Sequence, residues 1–546
     1  MRKAAVVVFA FLVAANAAAQ VDLRLYMGTA KPVDAGLPFT LEATVSNSGK
    51  APANGVTLAV DLYGATGFGA VPEGCAAVGT RMDCRLGVVN TTEFRKVVFE
   101  VIAPEKSLDY ASVIGELRSN EMDAYPPSNR STSSWRVYNT FYVVNANDSG
   151  FGSFREAIQL ANGAMCIDIA QCKIAFRIPP GEAKWQTIKL ATPLPAIKND
   201  YVMLDASTQS RYFADTNPDG PEIELTGTAL TSGSGIQLDA CGDIRGFAVN
   251  GFADNGIVTT KACRYFYPQS ITDCYVGVDP TGEKAVPNGR GIFLGARYGY
   301  IGGNVISGNA RSGLFVNSGA AYIYGNAIGL NAKKTAPLGN GASGVYIAPA
   351  AAGTDLTTNH IAFNHHAGVS IAKEATMVEV IGNSIHANWQ LAVDYGLDGV
   401  TARVPIRAEG PNQTFLGTGS MSMPQITSAV YDSATDTTTI DATIAFERSP
   451  AYNSLYLNVY ANDAPDESGY GEGQYFLGQV GCGYPTERCT MKLQGRPPGP
   501  YISTTGMSWQ YYGWLVTDPD GSQFCGDCGH TQTTSEFSKT VRITER

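Results

Sequence analysis

Charge is scarce in this sequence: 16% of its 546 residues are Asp, Glu, Lys or Arg, well below the quarter usual in soluble domains. That excludes a coiled coil, whose flanking positions are lined with charge. Basic residues are the smaller share of what there is, 39 against 49 acidic for a net charge of −10, so a nucleic-acid binder with a basic face is excluded as well. Beyond residue 20 no apolar run approaches the roughly 18 residues needed to span a bilayer. The chain has no Gly-rich phosphate loop behind a strand, no GxSxG and no HExxH, so the chemistries carried by those motifs have no foothold. Histidine is rare, at five residues, which makes its placement informative.

What the chain does have is turn-forming and β-forming residues: 60 Gly, 27 Tyr and 22 Phe. The composition predicts an all-β protein. Residues 1–19 join Arg2 and Lys3 to an apolar run, Ala4 to Val13, and a small-residue stretch ending at Ala19; this is the pattern of a signal peptide. A soluble mature chain, secreted to the periplasm or beyond the cell, is therefore expected, without membrane insertion and as a monomer.

The 11 cysteines fit an oxidising compartment, because most come in close pairs: Cys75 with Cys84, Cys166 with Cys172, Cys482 with Cys489, and Cys525 with Cys528. The last pair, near His530, also has a zinc-like spacing. Cys241 and Cys263 lie 22 residues apart and are expected to bridge adjacent coils, leaving Cys274 as the odd thiol.

Residues 20–138 alternate apolar and polar positions in short runs such as FTLEATVSN and KVVFEVIA, the pattern of an antiparallel sandwich. Through VSNSGKAPANGVTLAVDL and the Cys75–Cys84 loop this segment resembles the immunoglobulin-like modules of bacterial surface proteins. Residues 420–546, with TTTIDATIAF and SLYLNVYAN, predict a second, C-terminal sandwich.

Between them, residues 139–415 form a repeat. Asn304, Asn326, Asn359 and Asn383 are spaced by 22, 33 and 24, and Asn309, Asn331, Asn364 and Asn388 repeat the same intervals. A coil of about 22 residues with stacked turn asparagines and short apolar strands predicts a right-handed parallel β-helix. The segments NANDSGFGSFREAIQLANG, CKIAFRIPPG and LPAIKNDYVMLDASTQ, the coils, and a tail from PQITSAVYD to TSEFS resemble bacterial extracellular β-helix proteins of the pectin-lyase-like superfamily with a following β-sandwich. That superfamily includes polysaccharide lyases, glycoside hydrolases and adhesins, so the resemblance implies architecture more than activity. It also implies that FREAI is a capping helix and that VDYGLDGV ends the last coil. Neither the lyases' calcium carboxylates with a catalytic arginine nor the polygalacturonases' paired aspartates are recognisable.

Equal offsets from the asparagines predict columns of side chains. Arg311, Lys333, His366 and Gln390 form one, with His365 and Trp389 beside it. Such a basic face suits an acidic polysaccharide: cations offset uronate charge, and a histidine or lysine removes the proton in β-elimination. A solvated turn explains the same residues. A second column, Tyr300, Tyr322, Asp355 and Glu379, places aromatic rings next to carboxylates about 5 Å apart, as a sugar-binding or glycoside-hydrolase face requires. Asp215, Asn217 and Asp219, followed by Gly220, have the alternating oxygens of a calcium loop that Glu222 or Glu224 would complete. Two functions are expected: a polysaccharide lyase, or less readily a hydrolase, and alternatively a non-catalytic glycan-binding or adhesive protein.

Overall fold

The computed structural model describes the chain except residues 1–20, 29–31, 106–109, 167–171, 264–267, 296, 401–422, 445–452, 483–487, 513–514, 518–522 and 526–528. The signal-like segment and the trio Cys525, Cys528 and His530 lie outside the described residues and side chains. The chain divides into two compact units, residues 1–140 and 141–546.

In the first unit a four-stranded and a five-stranded antiparallel sheet enclose one apolar core that includes Leu23, Leu58, Met82, Phe99 and Leu117. The inward positions alternate with exposed ones, as in Leu23–Met27, because successive side chains of a strand point to opposite faces. Cys75 and Cys84 are cross-strand partners and are bonded.

The second unit is a parallel β-helix. Three parallel sheets of nine, eight and seven strands run along it, and the central coils contribute one strand to each. Inward Ile, Leu, Val and Phe side chains from all three fill one continuous core. Two asparagine ladders set the bends between sheets. In the first, the side-chain amide of Asn304 donates to Oδ1 of Asn326, Asn326 to Asn359, and Asn359 to Asn383, each at 2.9 Å. Cys274 occupies the preceding rung, its N–H donating to Asn304. The buried thiol is pushed up to about 12 by desolvation, so it is an inert core group.

The second ladder corrects the repeat as read from spacing. It runs Asn288, Asn309, Asn340, Asn364, Asn388, and Asn331 is not a rung. The 33-residue coil carries its extra residues between its strand Ala327–Ile328 and Asn340, so the residue equivalent to Asn309 comes nine positions after Asn331. Gly313 explains the recurring Gly-apolar pairs: a Cβ there would press on the Asn340 amide and the Gly344 carbonyl.

Both ends of the stack are covered. Helix α1, Phe154–Gly163, is capped by Ser153, whose hydroxyl accepts from the N–H of Glu156, and it buries Phe154, Ala157, Ile158 and Ala161 against the first coil. At the far end, two further, largely antiparallel sheets of residues 425–545 close the last coil. Thr534 accepts from the Val380 N–H, Glu536 from Tyr395 and Glu472 from Ala387. Tyr460 and Phe537 join the core of the helix. The pairs 166–172, 241–263 and 482–489 are bonded; among the described residues Cys274 is the free cysteine.

Replacing Asn326 by Ala orphans buried donors and acceptors on both neighbouring coils, at about 1–3 kcal/mol per buried group. Urea unfolding of Asn326→Ala is expected to show a loss of this order, whereas Asn331→Ala, off the ladder, is expected to cost less.

Candidate functional site

The nine-stranded sheet turns its outward positions into a column. Tyr300 is the direct partner of Tyr322, Tyr322 of Asp355, and Asp355 of Glu379. Two residues on, and therefore on the same face, Arg245, Thr272, Gly302 and Tyr324 form a parallel column. Tyr324 folds over Gly302, where any Cβ would collide with its ring. The signal for Tyr324 is the period-two repeat in Tyr322-Ile323-Tyr324, which a search at one offset from the asparagine passes over.

The tyrosines are tilted and half-exposed. Tyr300 lies 6.2 Å from Tyr322 at 43° and 4.7 Å from Tyr324 at 56°, and Tyr300 and Tyr322 are 39% and 38% exposed. The seven-stranded sheet offers a contrast. There Phe293, Phe315 and Tyr346 stack nearly parallel at 5.4 and 4.8 Å, 10° and 15° apart, so each ring face is taken by its neighbour. That column is closed by its own stacking, while Tyr300 is tilted against both of its neighbours and stays part-exposed.

Beside them, the Asp355 carboxyl is pushed up to about 6 by burial. Glu379 is pushed up to about 7, by burial first and then by the charge of Asp355 on the adjacent strand. Asp355 therefore ionises first and Glu379 keeps its proton longer. One protonated and one ionised carboxyl side by side is an acid–base pair near neutral pH.

The basic column does not assemble. With Asn340 on the ladder, Ala342 takes the place expected of Lys333: its N–H donates to the Arg311 carbonyl, and the His366 N–H donates to the Ala342 carbonyl. A full coil thus separates Arg311 from His366. Lys333 sits in the insertion, 3.8 Å from Glu283 of the preceding insertion. Arg311, His365, His366 and Trp389 are all exposed. His365 and Trp389 do meet, with ring centroids 4.6 Å apart. His360 and His386 lie elsewhere, on the eight-stranded sheet, and both are held below the usual imidazole range by burial. The extra residues of these two coils fold over that sheet, where Val278, Val305, Ala327, Ala332 and Leu338 form a small apolar cluster.

The loop of Asp215, Asn217 and Asp219 is cross-linked by hydrogen bonds. The Asn217 amide nitrogen donates to the carbonyls of Pro221 and Pro280, and Asp215 accepts from the Asn217 N–H. Glu222 accepts from Thr216, and Glu224 from Trp185, Thr187 and Asn250. Among the described residues no group of three or more His, Cys, Asp or Glu is placed to hold a metal. Thermal melts with calcium and with chelator are expected to coincide; a rise with calcium would restore the loop as a site.

Because Asp355 and Glu379 have native pKa values above those of unfolded carboxyls near 4, the folded chain holds more protons between about pH 4 and 7. Its stability therefore falls as pH rises across that window. Asp355→Asn or Glu379→Gln is expected to flatten the fall in urea unfolding measured across it; an unchanged slope would mean the pair is not desolvated.

Residues 226–397, under a third of the chain, match the family described as NosD, periplasmic copper-binding protein. No curated protein sequence matches the chain. Among solved structures, a family 28 exopolygalacturonase of Yersinia enterocolitica is similar at 10% identity, covering 66% of this chain and 74% of its own, with a TM-score of 0.23. A GH87 alpha-1,3-glucanase of Streptomyces thermodiastaticus is similar at 13% identity over 67% and 75%, with a TM-score of 0.25. The CARDB domain of the PF1109 protein of Pyrococcus furiosus is similar at 13% identity over 21% of this chain and 88% of its own, with a TM-score of 0.17. Likeness at this level carries no argument about activity; the parallel β-helix rests on the chain's own strand registers.

Proposed function

We propose that this chain is a glycan-binding β-helix protein of an extracytoplasmic compartment that hydrolyses its glycan with the Asp355–Glu379 pair. The observation that carries the reading is the register of this pair with Tyr300 and Tyr322 on one outward column. The tyrosine faces bind sugar rings, and the adjacent carboxyls act on the glycosidic bond. Glu379, the later to ionise, gives its proton to the leaving oxygen. Asp355, ionised, is one strand away, and strand neighbours lie about 4.8 Å apart; that separation suits direct attack on the anomeric carbon, as in retaining glycosidases. Lyase chemistry by a basic column loses its support, since Arg311, Lys333 and His366 are not gathered. Four disulfides and the periplasmic family match support the compartment.

Copper binding, the property in the matched family's name, does not fit the donors. Cys274 is a buried, protonated thiol, and no metal-holding cluster occurs among the described residues.

The alternative, binding without cleavage, uses the same tyrosines. A panel of neutral and uronate polysaccharides, followed by reducing ends and by the ultraviolet absorbance of unsaturated uronates, separates the readings. Reducing ends without absorbance are expected, with Asp355→Asn and Glu379→Gln each losing about 10²–10⁴-fold. Retention on a glycan with no product would establish the binder, and absorbance would establish a lyase.

A further inference from the structure

Upstream of the tyrosines on the same unit lies a cavity of about 340 Å³, lined among others by Ser207, Ser210, Asp219, Asp273, Tyr275 and Gly303. It adjoins the coils of the tyrosine strip through Gly303 and Asp273. Gly303 follows Gly302, the residue covered by the Tyr324 ring, and the Asp273 carboxylate approaches Gly303 and acts on the Tyr324 hydroxyl. From the coil of Asp273 to that of Asp355 is three coils, about 14 Å at the ~4.8 Å strand spacing. This is a reach of several sugar rings.

We propose that this cavity is a sugar-binding subsite for the same glycan, shaped for a neutral, hydroxyl-rich ring and closed to uronates; it rests on the glycan reading of the tyrosine strip. The lining supplies what such a ring needs. Tyr275, Pro218 and Pro221 give apolar surface for its C–H face, while Ser207, Ser210, Asp219 and Asp273 give hydroxyl and carboxylate partners for its hydroxyls. Sugar hydroxyls donate well to carboxylates, and such charge-assisted bonds are the strong ones. The loop is held firm for this purpose: Tyr275 donates to the Asp219 carbonyl at 2.5 Å, and Asn217 ties it to Pro221 and Pro280.

Charge decides the class of sugar. Among the described residues no Lys, Arg or His lines the cavity, whereas Asp215, Asp219, Glu222 and Asp273 do. The nearby Arg245 is already paired with Asp273 at 3.0 Å. A uronate entering here would bring its carboxylate among carboxylates with no cation to offset it. The glycan is thus neutral along this stretch, the reverse of the acidic polysaccharide that the sequence suggested.

The test is calorimetric titration of the full chain carrying Glu379→Gln, to prevent turnover, with dimers through hexamers of gluco-, manno- and galacturono-oligosaccharides. Expected is a gain of at least about tenfold in affinity from dimer to hexamer in a neutral series and none in the galacturonides. Ser210→Trp, which fills the cavity, is expected to cut that gain below about threefold. Asp219→Lys, at an exposed position that leaves the core untouched, is expected to give the galacturonides a length-dependent gain. A neutral gain that survives Ser210→Trp, or galacturonides binding the unfilled cavity as well as neutral chains do, overturns the subsite. Tyr300→Ala reports separately on the strip: weakened binding of dimers and hexamers alike upholds the strip whatever the cavity variants show. Binding untouched by Tyr300→Ala overturns both.

Discussion

The structure depends on the amide-to-amide hydrogen bond between asparagines of successive coils. Each rung donates its side-chain N–H to the next asparagine's Oδ1 and a second N–H to a neighbouring carbonyl, as Asn326 does to Asn359 and Ile301. For groups this deeply buried, missing partners are costly. The bends are therefore locked one above another, and with them the register of every strand. Because a one-residue slip would turn core side chains outward, the ladder is also what aligns Tyr300, Tyr322, Asp355 and Glu379 into one row.

Alignment alone does not make a site. Rows of aromatics arise on two of the three sheets, and their tilt separates them. Phe293, Phe315 and Tyr346 satisfy one another face to face, with the Arg290 guanidinium 5.0 Å from the Phe315 ring. Tyr300 is tilted against both of its neighbours and keeps surface for a ligand. The carboxyls beside it are perturbed by burial, which costs the fold something as they ionise; functional sites are where such strain collects. Asp205 shows the structural alternative: it is buried too, yet the charges of Arg211 and Lys173 hold its carboxyl below the usual range.

A stack of parallel strands exposes unpaired edges at each end, and both are closed here by different means. Helix α1 lays an apolar face on the first coil. At the other end, side chains of the following sheets reach backbone N–H groups of the last coils, through Thr534, Glu536 and Glu472.

The sequence by itself determined the parallel β-helix, its coil length, the first asparagine ladder and the Cys241–Cys263 bridge. All of these follow from residues repeating at short, regular intervals, and a local interval is visible in one dimension. The tyrosine–carboxylate row was legible for the same reason. The tertiary structure decided that Asn340 rather than Asn331 is the rung. An insertion changes the count without changing the geometry, and Lys333 was lost from its column by that shift. It also decided which carboxyls are desolvated, which rings stay part-exposed, and that residues near 215 meet residues near 273 and 303 around one cavity. Burial, tilt and long-range contact depend on what the other coils place alongside, and no spacing within a single coil contains that information.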